Sequence, residues 1–280
     1  MAEGRYGWIR AEARKALTLS GATGPHEIDA IRIAKALDVD IVDGGLVGAT
    51  ERITMIGGRA RIRVCDQIVL KGRRCFTIAH AIGHKACGHL IEADGDVNRW
   101  IDAACSGRTK QDEREADVFS TEVLAPAAWV RPYCDVRRVD LDAVHTIVRD
   151  FPVSPVMAAM RFVELSTQAC AVVYSEQGSV RWARGSRSFP RLVAREMCIP
   201  ATSIAREWFG TSVIDTHVRA GLARSWFPDC ARVEDRAEIF EHAMLIPEPG
   251  WGGVLSLLWI PQIAPRAERI RAAKKIASPI

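Results

Sequence analysis

The sequence has no apolar run long enough to cross a bilayer. Its longest, from Trp251 to Ile263, is interrupted by Gly252, Gly253, Pro261 and Gln262, whereas a spanning helix needs about 20 consecutive apolar residues. The first residues, MAEGRYGWIRAEARKAL, mix charges of both signs and lack the apolar segment of a secretory signal. A C-x-x-C pair is also missing. The eight cysteines, Cys65, Cys75, Cys87, Cys105, Cys134, Cys170, Cys198 and Cys230, are scattered, which argues against a disulfide framework and for free thiols in a reducing compartment. Charge of one sign is scarce: the formal net charge is +4, concentrated after Arg161, too little to support strong duplex binding. There is no internal repeat, and the C-terminal part carries no fingerprint for a small-molecule cofactor. These absences point to a cytoplasmic globular protein without a membrane partner. Its 280 residues, 48% of them hydrophobic, can bury a core without covalent staples.

What the chain does contain reads as α+β. Pro25 and Glu27 open an expected core helix with Ile28, Ile31, Ala34 and Leu37 at helical spacing. Residues 53–70 read as a β-hairpin or small antiparallel sheet: Ile53 to Ile56, the turn Gly57-Gly58, then Ala60, Ile62 and Val64 alternating with arginines, and later Ile68 to Leu70. A helix carrying Phe76, Ala79, Ile82, Gly83 and Ala86 follows. Another runs from about Glu113 to Leu124 and stops before Pro126. Residues 141–162 hold two short helical patterns around Phe151-Pro152-Val153-Ser154-Pro155, an HTH-like arrangement in which Ser154 can cap the second helix. From Ala169 the texture changes to strands, with Cys170 to Tyr174, the turn Gln177-Gly178-Ser179, Val180 to Trp182, and Val254 to Ile260.

His80 and His84 stand four residues apart on the helix expected over Phe76 to Ala86, and so project from one face. That is bidentate spacing for zinc, although a buried, hydrogen-bonded pair has the same spacing. Glu113, in Glu113-Arg114-Glu115-Ala116-Asp117-Val118-Phe119, offers the carboxylate that a His₂Glu site requires. Asp117, one turn on, can accept a hydrogen bond from the non-ligating nitrogen of a zinc histidine. A solvated acidic face suits Asp112 and Glu115 better than Glu113. Cys87 and Cys105 are candidates for the fourth coordination position, with Cys105 the better switch because it lies in the loop between the two helices. His26, His89, His145, His217 and His242 are read as structural.

These two segments resemble the ImmA/IrrE metallopeptidase family, whose members carry F-T-x-A-H-E-x-G-H followed by E-x-E-A-N/D-x-F-A-x-x-L-L-x-P. The matching stretches are Phe76 to His84 and Glu113 to Pro126, within a resemblance that covers roughly residues 25–165. It implies a zincin-like domain in which His80, His84 and Glu113 bind Zn²⁺. The family has glutamate where this chain has Ala81. That glutamate serves as general base, and a methyl group cannot take its place, so cleavage is expected to fall by ~10²- to 10⁴-fold. Two accounts fit Ala81: a substitution introduced to silence a peptidase, or a natural member that kept its metal and lost its base. The complete ligand set favours the first.

The resemblance further implies an HTH-type transcriptional repressor as protein substrate, cleaved when DNA damage or foreign DNA is sensed, and a GAF-like module after the peptidase. The arrangement also looks similar to that of the CBASS-associated CapP peptidases, in which single-stranded DNA is the activating signal. The expected organisation is a zincin-like metallopeptidase domain over 1–130, a helical HTH-like extension over 131–166, a GAF-like α+β domain over 167–262 and a basic tail over 263–280. Within the third, Arg181, Trp182, Arg184 and Arg187 set basic side chains beside an aromatic ring, the composition of single-stranded nucleic-acid binders. A solvated strand edge has the same composition. The rival from another class is a non-catalytic, zinc-stabilised sensor that binds repressor or nucleic acid stoichiometrically.

Overall fold

The computed structural model describes residues 6–56, 59–89, 109–190, 193–227, 236–248 and 251–261. The chain forms two compact units. One comprises Met1–Trp129 with Ile147–Met157, the other Val130–Thr146 with Ala158–Ile280. Residues 131–166, expected to form a helical extension, are divided between the two. The tail expected at 263–280 lies outside the described residues.

In the first unit, helix α1 (Gly7–Ser20) buries Ile9, Ala13, Ala16 and Leu17, one apolar stripe at helical spacing. Pro25–Glu27 make a single 3₁₀ turn rather than opening a long helix. Helix α2 (Ala30–Ala36) starts where Asp29 Oδ1 accepts from the backbone N–H groups of Ile31 at 2.8 Å and Arg32 at 3.2 Å. This side-chain cap fixes the helix start. The restart turns a different face inward: Ala30, Ile33 and Ala34 are buried, and Ile31, expected in the core, is 55% exposed.

Strands β1 (Val39–Gly44), β2 (Glu51–Ile56) and β3 (Arg59–Cys65) form a sheet in the order β1-β3-β2, with β1 parallel and β2 antiparallel to β3. The expected hairpin is β2 and β3, with Ala60, Ile62 and Val64 fully buried; its Gly57-Gly58 turn lies outside the described residues. Ile68 to Leu70 is not a strand, and Val69 is exposed. Helix α3 (Lys71–Ala86) follows, and then α4 (Lys110–Leu124), which opens with a reciprocal capping box between Thr109 and Asp112. Helix α4 packs against both α1 and α3.

Helix α5 spans Ala127–Cys134, α6 Leu141–Asp150 and α7 Pro155–Leu165. Ser154 caps α7 as the sequence implied, its Oγ accepting from Met157 N at 3.2 Å.

In the second unit, β4 (Cys170–Glu176) and β5 (Ser179–Gly185) form a hairpin through Gln177 and Gly178, both at positive φ, the signature of a type I′ turn. Helix α8 (Ile204–Thr211) and strands β6 (Arg219–Leu222), β7 (Glu238–Glu248) and β8 (Trp251–Trp259) complete an antiparallel sheet in the order β5-β4-β8-β7-β6. Ala171, Val173, Val254 and Leu258 join a core with Ile204 and Ala205 of α8. Cys170, Val172, Leu255 and Leu257, which alternate with them along the strands, are buried as well. Burial on both faces explains why β4 runs without polar alternation from Cys170 to Tyr174.

Glu241 joins the sheet to α8. Its Oε1 accepts from Ser203 Oγ at 2.9 Å and Ser256 Oγ at 2.7 Å, and its Oε2 accepts from Ile204 N at 3.1 Å. Burial raises its pKa despite these donors.

Candidate metal centre

The site belongs wholly to the first unit. Helix α3 presents His80 and His84 one turn apart, and α4 brings Glu113 to them from 33 residues away in sequence. His80 Nε2 lies 3.1 Å from His84 Nε2 and 3.1 Å from Glu113 Oε2, and His84 Nε2 lies 3.5 Å from Glu113 Oε1. His84 is fully buried and His80 nearly so, whereas Glu113 is about half exposed.

These distances test whether a cation fits. Four donors arranged tetrahedrally at 2.0–2.2 Å from zinc stand about 3.3–3.6 Å from one another. The two imidazole nitrogens, 3.1 Å apart, each face a different oxygen of Glu113, Oε2 at 3.1 Å from His80 and Oε1 at 3.5 Å from His84, spacings close to those between donors around one zinc ion. Two facing imidazole nitrogens and a carboxylate suit a borderline-soft divalent ion.

Asp117 lies behind His80, its Oδ1 3.2 Å from His80 Nδ1. By hydrogen-bond geometry His80 Nδ1 is otherwise without a partner among the described residues. Burial opposes a charged His80 ring, but Asp117, with Glu51 and Glu113, outweighs it and raises the pKa above the ordinary histidine value. The glutamate position of the family pattern is filled by Ala81, which is fully buried.

His89, expected to be structural, adjoins the centre, its Nδ1 3.1 Å from His84 Nδ1. Glu115, expected on a solvated face, is instead largely buried, its Oε2 3.1 Å from His89 Nε2. The only signal for His89 was Gly88-His89, a helix stop followed by an imidazole. Cys87 gathers with His89 and Glu115 rather than with the His80–His84–Glu113 donors. Burial, then Glu115 and Glu12, push its thiol up to about 12, so it is not a ready thiolate. Cys105 lies outside the described residues.

The residues singled out for nucleic acid are on β5 and just beyond it, in the second unit. Arg181 pairs with Glu176 at 3.1 Å and Glu196 at 3.7 Å, and Trp182 stacks on Tyr174 with ring centroids 5.5 Å apart. A register shift in the β4–β5 ladder leaves Arg181 outside the pairing. Arg184 and Arg187 are exposed. The segment thus offers less free charge and less free ring face than its composition implied.

Residues 48–163 match the sequence model of the IrrE N-terminal-like domain, an M78 peptidase family. The match contains every donor of the centre and covers less than half of the chain. No curated protein matches the chain. Among solved structures, a Mycobacterium tuberculosis transcriptional regulator is similar in fold, with a TM-score of 0.58 and 14% identity, over 90% of this chain and 75% of that one. Among the described residues no helix is long and apolar enough to cross a membrane.

Proposed function

We propose that the first unit is a zinc-dependent endopeptidase domain of the ImmA/IrrE type, acting on an HTH-type transcriptional repressor and silenced in this chain at Ala81. The observation that carries the reading is the convergence of His80 Nε2, His84 Nε2 and the Glu113 carboxylate within 3.1–3.5 Å. The match of residues 48–163 to the IrrE N-terminal-like domain supports it.

Zinc in such a site supplies Lewis-acid polarisation of a substrate carbonyl and lowers the pKa of water. His80 and His84 present neutral nitrogen lone pairs, Glu113 adds a negative charge, and Asp117 favours the proton on His80 Nδ1, leaving Nε2 free to bind. Ala81 has no atom that can accept a proton from water or deliver one to a leaving amine. The centre therefore binds and orients, while the proton-transfer step is left without a carrier.

The second unit is read as a GAF-like sensor responsive to DNA, single-stranded DNA in particular. Its five-stranded antiparallel sheet with apolar residues buried on both faces supports the module. The trigger rests on the family resemblance alone. A CapP-type role in anti-phage defence is the narrower form of the same proposal.

The test is Ala81→Glu in the full chain, mixed with the cognate repressor with and without single-stranded DNA. Cleavage by the glutamate variant and none by the parent supports the peptidase reading. Zinc binding without cleavage under either condition turns the account to the second reading, a zinc-stabilised protein that binds repressor stoichiometrically, which the buried methyl of Ala81 favours.

A further inference from the structure

The C-terminus of α3 is built to return the chain toward His84. Gly88 takes φ +75, its N–H donates to Lys85 O at 3.0 Å, and the N–H of His89 donates to His84 O at 2.9 Å. These are the paired bonds of a Schellman motif, with glycine at its left-handed position. The turn places the ring of His89 edge-on to that of His84, with centroids 5.3 Å apart.

The rings and one carboxylate then form a chain. His84 Nδ1 meets His89 Nδ1 at 3.1 Å, and His89 Nε2 meets Glu115 Oε2 at 3.1 Å. Gln111 Nε2 holds the other oxygen of Glu115, donating to Oε1 at 2.6 Å. Asp112 Oδ1 stands further off, 3.7 Å from His89 Nε2.

Two carboxylates compete for the order of hydrogens in two neutral rings: Glu115 stands 3.1 Å from His89 Nε2 and Glu113 Oε1 3.5 Å from His84 Nε2, and the shorter contact, to the more buried carboxylate, selects one assignment. The Glu115 carboxylate accepts, so His89 carries its hydrogen on Nε2 and offers the Nδ1 lone pair. His84 then donates from Nδ1, and its Nε2 lone pair is directed at His80 and Glu113. We propose that Glu115 and His89 are positioning residues that fix the tautomer of His84 and so prepare it to ligate a metal. Metal-bound histidines commonly donate their second N–H to such an acceptor. Here the acceptor is a second imidazole backed by a carboxylate.

The same assignment decides against a rival. Cys87, His89 and Glu115 also offer donor atoms within 4.8 Å of one another, the outline of a second metal site. For His89 to bind an ion through Nε2, its hydrogen must move to Nδ1. That turns His84 Nδ1 into an acceptor and places a hydrogen on His84 Nε2, where the first site needs a lone pair. In this geometry the two sites exclude each other, and one metal per chain is expected.

The inference rests on the metal reading for its purpose, but its test separates the two. Tautomers of His84 and His89 are read by ¹⁵N–¹H long-range NMR on the full chain without metal and with zinc. The expected result is hydrogen on His84 Nδ1 and on His89 Nε2 in both samples; the opposite pair overturns the proposal. Zinc affinity is measured by chelator competition in the parent, His89→Phe, Glu115→Gln and His89→Gln. His89→Phe is expected to bind ~10- to 100-fold more weakly, with Glu115→Gln and His89→Gln closer to the parent because an amide oxygen can still accept from the neighbouring ring. Parent-like affinity in His89→Phe, or two zinc ions per parent chain, contradicts the relay while leaving the primary site standing. A parent that binds no zinc removes the metal reading, and the tautomers of the metal-free chain still decide the relay.

Discussion

Gly83 and Ala116 set the spacing between the two ligand-bearing helices. A Cβ at Gly83 would stand 3.0 Å from both the Cα and the carbonyl oxygen of Ala116, and 3.2 Å from Phe119 Cβ. Two of those atoms are backbone and can yield only if α4 moves. Because His84 follows Gly83 directly and Glu113 lies one turn before Ala116, that movement opens the metal centre. Gly83→Ala is expected to cost about 1–3 kcal/mol and to weaken zinc binding. Thermal denaturation and zinc titration check both effects, and parent-like values in both contradict the close approach.

Glu241 is the buried brace of the second unit, accepting from two serine hydroxyls and from the first N–H of α8. Glu241→Ala leaves those donors buried without that acceptor, the first N–H of α8 among them, although the Ser203 cap remains. A loss on the order of 3 kcal/mol is expected, read as a shift in the urea midpoint. A midpoint within experimental scatter of the parent shows that the donors find other partners.

Asp215 gives the second unit an acid-sensitive contact. The N–H of His217, then the Arg219 guanidinium and the His217 ring, hold its pKa down from 3.8 to about 2. A depressed carboxylate adds stability that is complete above its unfolded value and is lost as pH falls through the folded one. The parent should therefore be more stable than Asp215→Asn at neutral pH. The gap should close between about pH 4 and pH 2. Urea midpoints of the two proteins across that range test this, and a gap independent of pH contradicts it.

Local features of the site were legible in the sequence. His80 and His84 announce themselves by helical spacing, and Ser154 by its place before Pro155. Glu113 required the family pattern, because spacing within one helix says nothing about which other helix will face it. His89 was missed because helical periodicity ends at Cys87. The Schellman turn carries the ring back by a route that periodicity cannot register. Strand β1 was missed for a related reason: it pairs in parallel with β3 across an intervening strand, so neither a tight turn nor a matched alternation marks it. Ile31 was misplaced because the capping carboxylate of Asp29, rather than the apolar pattern, fixed where α2 begins.

Metal content tests the central claim most directly. Elemental analysis of the purified full chain, beside His80→Ala, should find about one zinc per chain in the parent and little in the variant. No metal in the parent, after exposure to zinc and removal of the excess, would contradict the account and leave His80, His84 and Glu113 as a hydrogen-bonded cluster in a helical core.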